Sequence, residues 1–96
     1  STLGRTNISV GYARRTISAE TSEFLRVAWR VGNSGAWAVI ENAQSNAAWQ
    51  VRQINLSTAA SNQALIQIRY FLDTTQPNGG GNSDHGLIDN MNVTGI

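Results

Sequence analysis

The sequence predicts an all-β fold, an antiparallel β-sandwich of about six strands. Three observations carry this. Apolar and polar residues alternate with period two over several separate stretches. β-Formers are abundant: six Val, eight Ile and eight Thr make 22 of 96 residues, joined by three Trp. Gly, Asn and Ser clusters separate the stretches, and no helical period is sustained.

The first strand is expected over Thr6–Arg14, with Ile8, Val10 and Tyr12 on one face. Thr16–Ser22 reads as a polar loop. A second strand places Leu25, Val27, Trp29 and Val31 on one face, which assigns Trp29 to the core. Phe24, Arg26, Ala28 and Arg30 take the other face. Gly32-Asn33-Ser34-Gly35 is a turn cluster, and Trp37–Ile40 returns as the third strand of a hairpin. The fourth strand, Trp49–Leu56, changes parity: Trp49 and Val51 share one face, Ile54 and Leu56 the other. One extra residue would reset the faces, so a β-bulge is expected near Val51–Arg52. Ser57–Gln63 is small and polar and suits a helical turn. Leu65–Leu72 is a fifth strand with Ile66, Ile68, Tyr70 and Leu72 in one row. Asp73–Gly86 is a Gly/Asn-rich loop, and Leu87–Thr94 closes the set as a sixth strand. No internal repeat or linker divides the chain, so residues 1–96 read as a single module.

Composition narrows the function. No cysteine is present, so there is no disulfide framework or thiolate metal site. A single histidine argues against a His-based zinc site. Net charge is +1, too balanced to point to nucleic acid. No apolar run approaches the roughly 20 residues that span a bilayer, so no membrane insertion is expected. No charged-then-apolar leader is visible, and the start at Ser1 reads as a processed or excised product. All seven basic residues are arginine, which a GC-rich genome explains as readily as selection for planar, bidentate contacts.

Four segments carry a resemblance. Arg30-Val31-Gly32-Asn33-Ser34-Gly35-Ala36-Trp37 resembles a hairpin of bacterial extracellular jelly-roll modules, and Trp49-Gln50-Val51-Arg52-Gln53-Ile54-Asn55-Leu56-Ser57 resembles one of their strands. Ala60 to Tyr70, with Asn62-Gln63 and Leu65-Ile66-Gln67-Ile68-Arg69-Tyr70, is similar to a further strand. Ser83 to Gly95, with Leu87-Ile88-Asp89-Asn90-Met91-Asn92-Val93-Thr94-Gly95, is similar to the terminal one. The order is right across Thr6 to Gly95. The resemblance is to concanavalin-like or MAM-like β-sandwich modules appended to secreted enzymes and adhesins. It implies a jelly-roll-like sandwich, a secreted or cell-surface location and a non-catalytic role in binding or attachment. Relative to those modules this chain resembles the C-terminal two-thirds, with the N-terminal strands lacking. Missing strands would leave an open sheet edge, covered by a neighbouring domain or by another copy unless six strands suffice.

Candidate chemistry is sparse. His85 lies between Asp84 and Gly86, and a triad assembled from Ser83, His85 and Asp73 has no nucleophile elbow. Carboxylate pairs Glu20 with Glu23, or Asp84 with Asp89, have no strand context that sets them across a cleft. Gly79-Gly80-Gly81 lacks the phosphate-loop spacing and its lysine. The chain is therefore expected not to be an enzyme. A structural calcium would draw on loop oxygens, with Asn82, Asp84 and Asp89 as candidate ligands; the resemblance implies a role of this kind for Asp89, although Asn90 stands where many relatives carry Asp. A ligand face is the stronger expectation. Arg26, Arg30 and Arg69 share the outward parity of strands two and five, and if those strands are neighbours they form a basic stripe edged by Phe24, Phe71 and Gln67. Trp37 is the candidate stacking surface, and His85 is a loop contact. The expected partner is a polysaccharide or cell-surface glycan. The alternative is a structural subunit of a fibre or surface layer, completed by strand donation between copies. Asn7, Asn55 and Asn92 open glycosylation-type triplets that occur by chance at this Asn, Ser and Thr content.

Overall fold

The computed structural model describes residues 1–17, 24–43, 48–73 and 85–96, with the side chains of Ile17, Asp73 and His85 outside that description. The order is β1 (Ser9–Ile17), β2 (Phe24–Val31), β3 (Ala38–Ala43), β4 (Gln50–Asn55), a 3-10 turn at Thr58–Ala60, β5 (Ile66–Asp73) and β6 (His85–Thr94). The strands form two three-stranded antiparallel sheets, ordered β4-β1-β6 and β3-β2-β5. The chain is a small β-sandwich. Alternation explains why. Each central strand buries one row: Ile8, Val10 and Tyr12 along β1 and its entry, Leu25, Val27 and Trp29 along β2. Those rows meet between the sheets. Val27 packs with Val10 and Tyr12, and Trp29 packs with Ile8 and Ala60, so β1 and β2 run in opposite directions.

The strands match the sequence expectation in number and order, with boundaries moved by up to three residues. β1 begins at Ser9 and runs on to Ile17, because Arg14 and Thr16 continue the buried row. The expected bulge in β4 is absent. β1 and β4 pair without a shift from Ser9↔Asn55 to Arg14↔Gln50. The parity change has another cause: β4 turns Arg52 inward with Ile54 and leaves Val51 83% exposed. Register shifts occur elsewhere, between Gly11 and Ala13 on the β6 side and between Val27 and Ala28 on the β3 side. At Gly11 a Cβ would stand 2.7 Å from Gln53 Oε1 and 2.9 Å from Asn92 Oδ1, so the missing side chain admits both amides over β1.

An ionic cluster explains the inward arginine. Glu41 of β3 is buried with the parity of Val27. Its carboxylate accepts the Tyr12 hydroxyl at 2.5 Å, Arg14 Nε at 3.2 Å, Arg14 Nη2 at 3.0 Å and Arg52 Nε at 2.9 Å. The cluster ties β1 and β4 of one sheet to β3 of the other. A buried carboxylate is tolerated only when paired and hydrogen-bonded, and here every donor is supplied from the facing sheet. Burial first, and the Glu41 hydrogen bond and charge next, push the Tyr12 phenol well above its ordinary range. It therefore stays a protonated donor to the carboxylate.

At the opposite end of β1 the chain folds back on itself. Thr2 Oγ1 donates to the Ala60 carbonyl at 2.6 Å and accepts Gln63 N–H at 2.9 Å. Thr6 and Ile96 exchange backbone hydrogen bonds of 2.8 Å, which anchors the last residues beside the entry to β1.

Candidate arginine-aromatic face

The outer face of the β3-β2-β5 sheet gathers most of the residues expected to bind ligand. Register sets the neighbours. Arg26, Ala28 and Arg30 of β2 lie opposite Phe71, Arg69 and Gln67 of β5. On the other flank Arg26 lies opposite Asn42 and Ala28 opposite Val39. The small Ala28 is completely buried beneath this outer layer.

Trp37, one residue before β3, organises the cations. Its ring centroid is 4.4 Å from the Arg30 guanidinium carbon and 4.3 Å from that of Arg69. Arg69 also lies 5.0 Å from the Phe71 ring, so Arg30, Trp37, Arg69 and Phe71 form a continuous ladder. Contacts at this range are attractive and restrict the long arginine side chains. Arg30 Nε donates to Gln67 Oε1 at 2.7 Å. Arg26 rests 5.0 Å from the Phe24 ring and donates through Nη1 to Asn42 Oδ1 at 2.5 Å.

Arg26, Arg30, Arg69 and Trp37 thus come together on one surface. Trp37 is half-buried, and its ring serves as a platform for guanidinium groups. That differs from the bare stacking surface expected from its position after a turn, because cross-strand neighbours two strands away reach it. Among the described residues, neither Arg30 nor Arg69 has a carboxylate partner. The face can offer several guanidinium N–H groups, already ordered, to an anion.

The other candidates fall elsewhere. His85 opens β6 opposite Ile17, on the other sheet, and its side chain lies outside the described residues. So do Ser83, Asn82, Asp84, Glu20, Glu23 and the Gly79–Gly81 run. Asp89 is exposed on β6, and its Oδ1 accepts the Asn90 N–H at 2.8 Å. Among the described residues no three His, Cys, Asp or Glu side chains converge on a metal position, so Asp89 by itself does not supply a calcium set. Two open clefts of about 370 and 320 Å³ flank Ile8 at the end where β1 begins, and neither touches the arginine-bearing face.

Sequence reading missed two participants. Asn42 joins the face only because the register shift beside Ala28 places it opposite Arg26. Glu41 was not identified as the centre of an inter-sheet ion cluster. The signal available for it was Arg52, a charge in the same parity as Ile54.

No family model, curated protein or solved structure matches the chain. The structure defines a small antiparallel β-sandwich whose β3-β2-β5 sheet carries an arginine-aromatic face. No helix among the described residues is long and apolar enough to cross a membrane.

Proposed function

We propose that this chain is a non-catalytic, extracellular binding module whose ligand is an acidic polysaccharide, held on the outer face of β3-β2-β5. The observation that carries the reading is the Arg30–Trp37–Arg69 stack, with two guanidiniums fixed on one indole and no carboxylate partner among the described residues. Planar guanidiniums recognise carboxylate and sulfate groups bidentately, and holding them on an aromatic ring lowers the ordering cost of binding. Phe24 and Phe71 add apolar surface at the margin, suited to the C–H faces of sugar rings. A repeating anionic chain fits a row of cations better than a single small anion does. The secreted or cell-surface setting follows the resemblance of the four segments to bacterial jelly-roll modules.

Titration calorimetry tests it with polygalacturonate, heparin and neutral dextran as probes. One or both anionic chains should bind, dextran should not, and affinity should fall as salt rises. Arg69→Ala and Arg30→Ala should each weaken binding about tenfold, equivalent to one lost charge-assisted contact. Equal binding of dextran, or full binding by the double variant, overturns the reading.

A further inference from the structure

A cleft of about 320 Å³ opens at the end of the sandwich where β1 begins, between residues 6–8 and 56–61. Its floor is apolar: Ile8 and Leu56 meet there, over the core cluster that holds Trp29 and Ala60. Thr6 and Asn7 line it from one chain segment, and Ser57, Thr58 and Ser61 from the other. None of these five side chains makes a hydrogen bond to another described residue. Ser57 precedes the 3-10 turn, where a serine ordinarily caps the backbone, yet its hydroxyl makes no cap bond. Asn7 holds φ at 52°, in the left-handed region. The two segments are tied in place. Leu56 N–H donates to the Ile8 carbonyl at 2.9 Å, Ser61 N–H to the Thr58 carbonyl at 3.0 Å and Asn62 N–H to the Arg5 carbonyl at 3.1 Å. A preformed concavity with an apolar base and a few polar groups is the common form of a small-ligand site.

We propose that this cleft holds one neutral sugar residue bearing an acetamido group. Charge excludes an ionic ligand. No described residue lining the cleft is charged, unlike the neighbouring cleft, which includes Arg5. An ion enclosed without a partner loses more hydration than it recovers. Volume limits the occupant, because the cleft stands at the lower end of the roughly 300–1,000 Å³ of small-ligand sites. The polar set is four hydroxyls and one amide, groups that both donate and accept, which matches a ligand of mixed O–H, N–H and C=O groups. The floor decides for the acetamido group. Ile8 is 2% exposed, so the apolar spot is too narrow for the face of a sugar ring, which rests on broad aromatic surface. It suits a methyl group. In a trans amide N–H and C=O point to opposite sides. With the methyl on Ile8 and Leu56, they address the two chain segments, and the sugar hydroxyls meet the remaining Ser and Thr side chains. The cleft shares no residue with the arginine-aromatic face, and its ligand does not depend on the acidic-polysaccharide reading.

NMR titration of the isotope-labelled full chain tests this, with N-acetylglucosamine, glucose and acetamide as probes. N-acetylglucosamine should shift the backbone amides of residues 6–8 and 56–61 saturably, with the millimolar affinity of a one-ring ligand. Glucose and acetamide each carry part of that ligand, and each should bind about tenfold more weakly or less. Ser57→Ala removes a hydroxyl that caps nothing, and Asn7→Gly removes the amide while accepting the left-handed backbone, so both variants should keep the wild-type circular dichroism. Each should weaken N-acetylglucosamine binding about tenfold. Arg30→Ala should leave the titration unchanged. The proposal is overturned by the absence of saturable shifts, by shifts that map elsewhere, or by equal binding of glucose or of acetamide. Wild-type affinity in both Ser57→Ala and Asn7→Gly overturns it too, as does loss of sugar binding in Arg30→Ala. The acidic-polysaccharide reading keeps its own calorimetric test, and either can fail without the other.

Discussion

Along its β3/β4 side the sandwich is closed by an ion cluster, whereas along its β5/β6 side, among the described residues, inward apolar side chains stay exposed. On the first side Glu41 gathers Tyr12, Arg14 and Arg52 from the facing sheet, and its side chain is 7% exposed. On the second side Tyr70 and Val93 point inward and remain about half in water. The edge strands differ in length, six residues each for β3 and β4 against eight for β5 and ten for β6. The difference teaches that burial on a three-stranded sheet depends on what stands opposite. A carboxylate met by three donor side chains can be enclosed, and a valine that no described residue covers stays exposed.

The largest way to break this comparison is Glu41→Ala. It strands the Arg14 guanidinium in the interior, a loss of about 3–5 kcal/mol for a buried pair deprived of one partner. Urea unfolding should show a midpoint shift of that size or loss of the fold. A change under about 1 kcal/mol would mean that the cluster is solvated and closes nothing.

Tyr12→Phe sharpens the same side through pH. The folded phenol keeps its proton above the ordinary ionisation value of 10.0, because burial and Glu41 oppose the phenolate. An unfolded chain releases that proton first. The contribution of this group is therefore complete below about pH 10 and declines as pH rises above it. Tyr12→Phe should cost about 1.5–3 kcal/mol at neutral pH, the range for a hydrogen bond to a charged group. It should also remove this part of the alkaline decline. Parallel pH–stability curves for the two proteins above pH 10 would sink the assignment.

Tyr70→Thr gives the smallest effect and probes the open side. In dilute solution the stability change should stay within about 0.5 kcal/mol, as for a surface site. A large loss in dilute solution would show that Tyr70 packs within its own chain and that the side is not open.

Much of the arginine-bearing face was legible in sequence. Arg26, Arg30 and Arg69 fall on outward parities because strand side chains alternate, and the hairpin turn at Gly32–Gly35 makes β2 and β3 neighbours. Pairing of β2 with β5 was an assumption until the register placed Arg69 opposite Ala28. The position of Trp37 under two guanidiniums was not legible, since it joins the residue before β3 to side chains of β2 and β5. In β4 the sequence pattern misled. A parity change looks the same whether a bulge rotates the strand or an arginine faces a buried carboxylate.

By itself the sequence determined the strands, the two faces of all but β4 and a turn near Thr58, because alternation and turn chemistry act over a few neighbouring residues. Only the tertiary structure decided which strands became edges, where the register shifts fell and which inward residues found cover. Those outcomes depend on contacts between residues far apart in the chain. Glu41 and Arg52 illustrate the division: each is an ordinary charge in its own strand, and their pairing exists only where the two sheets meet.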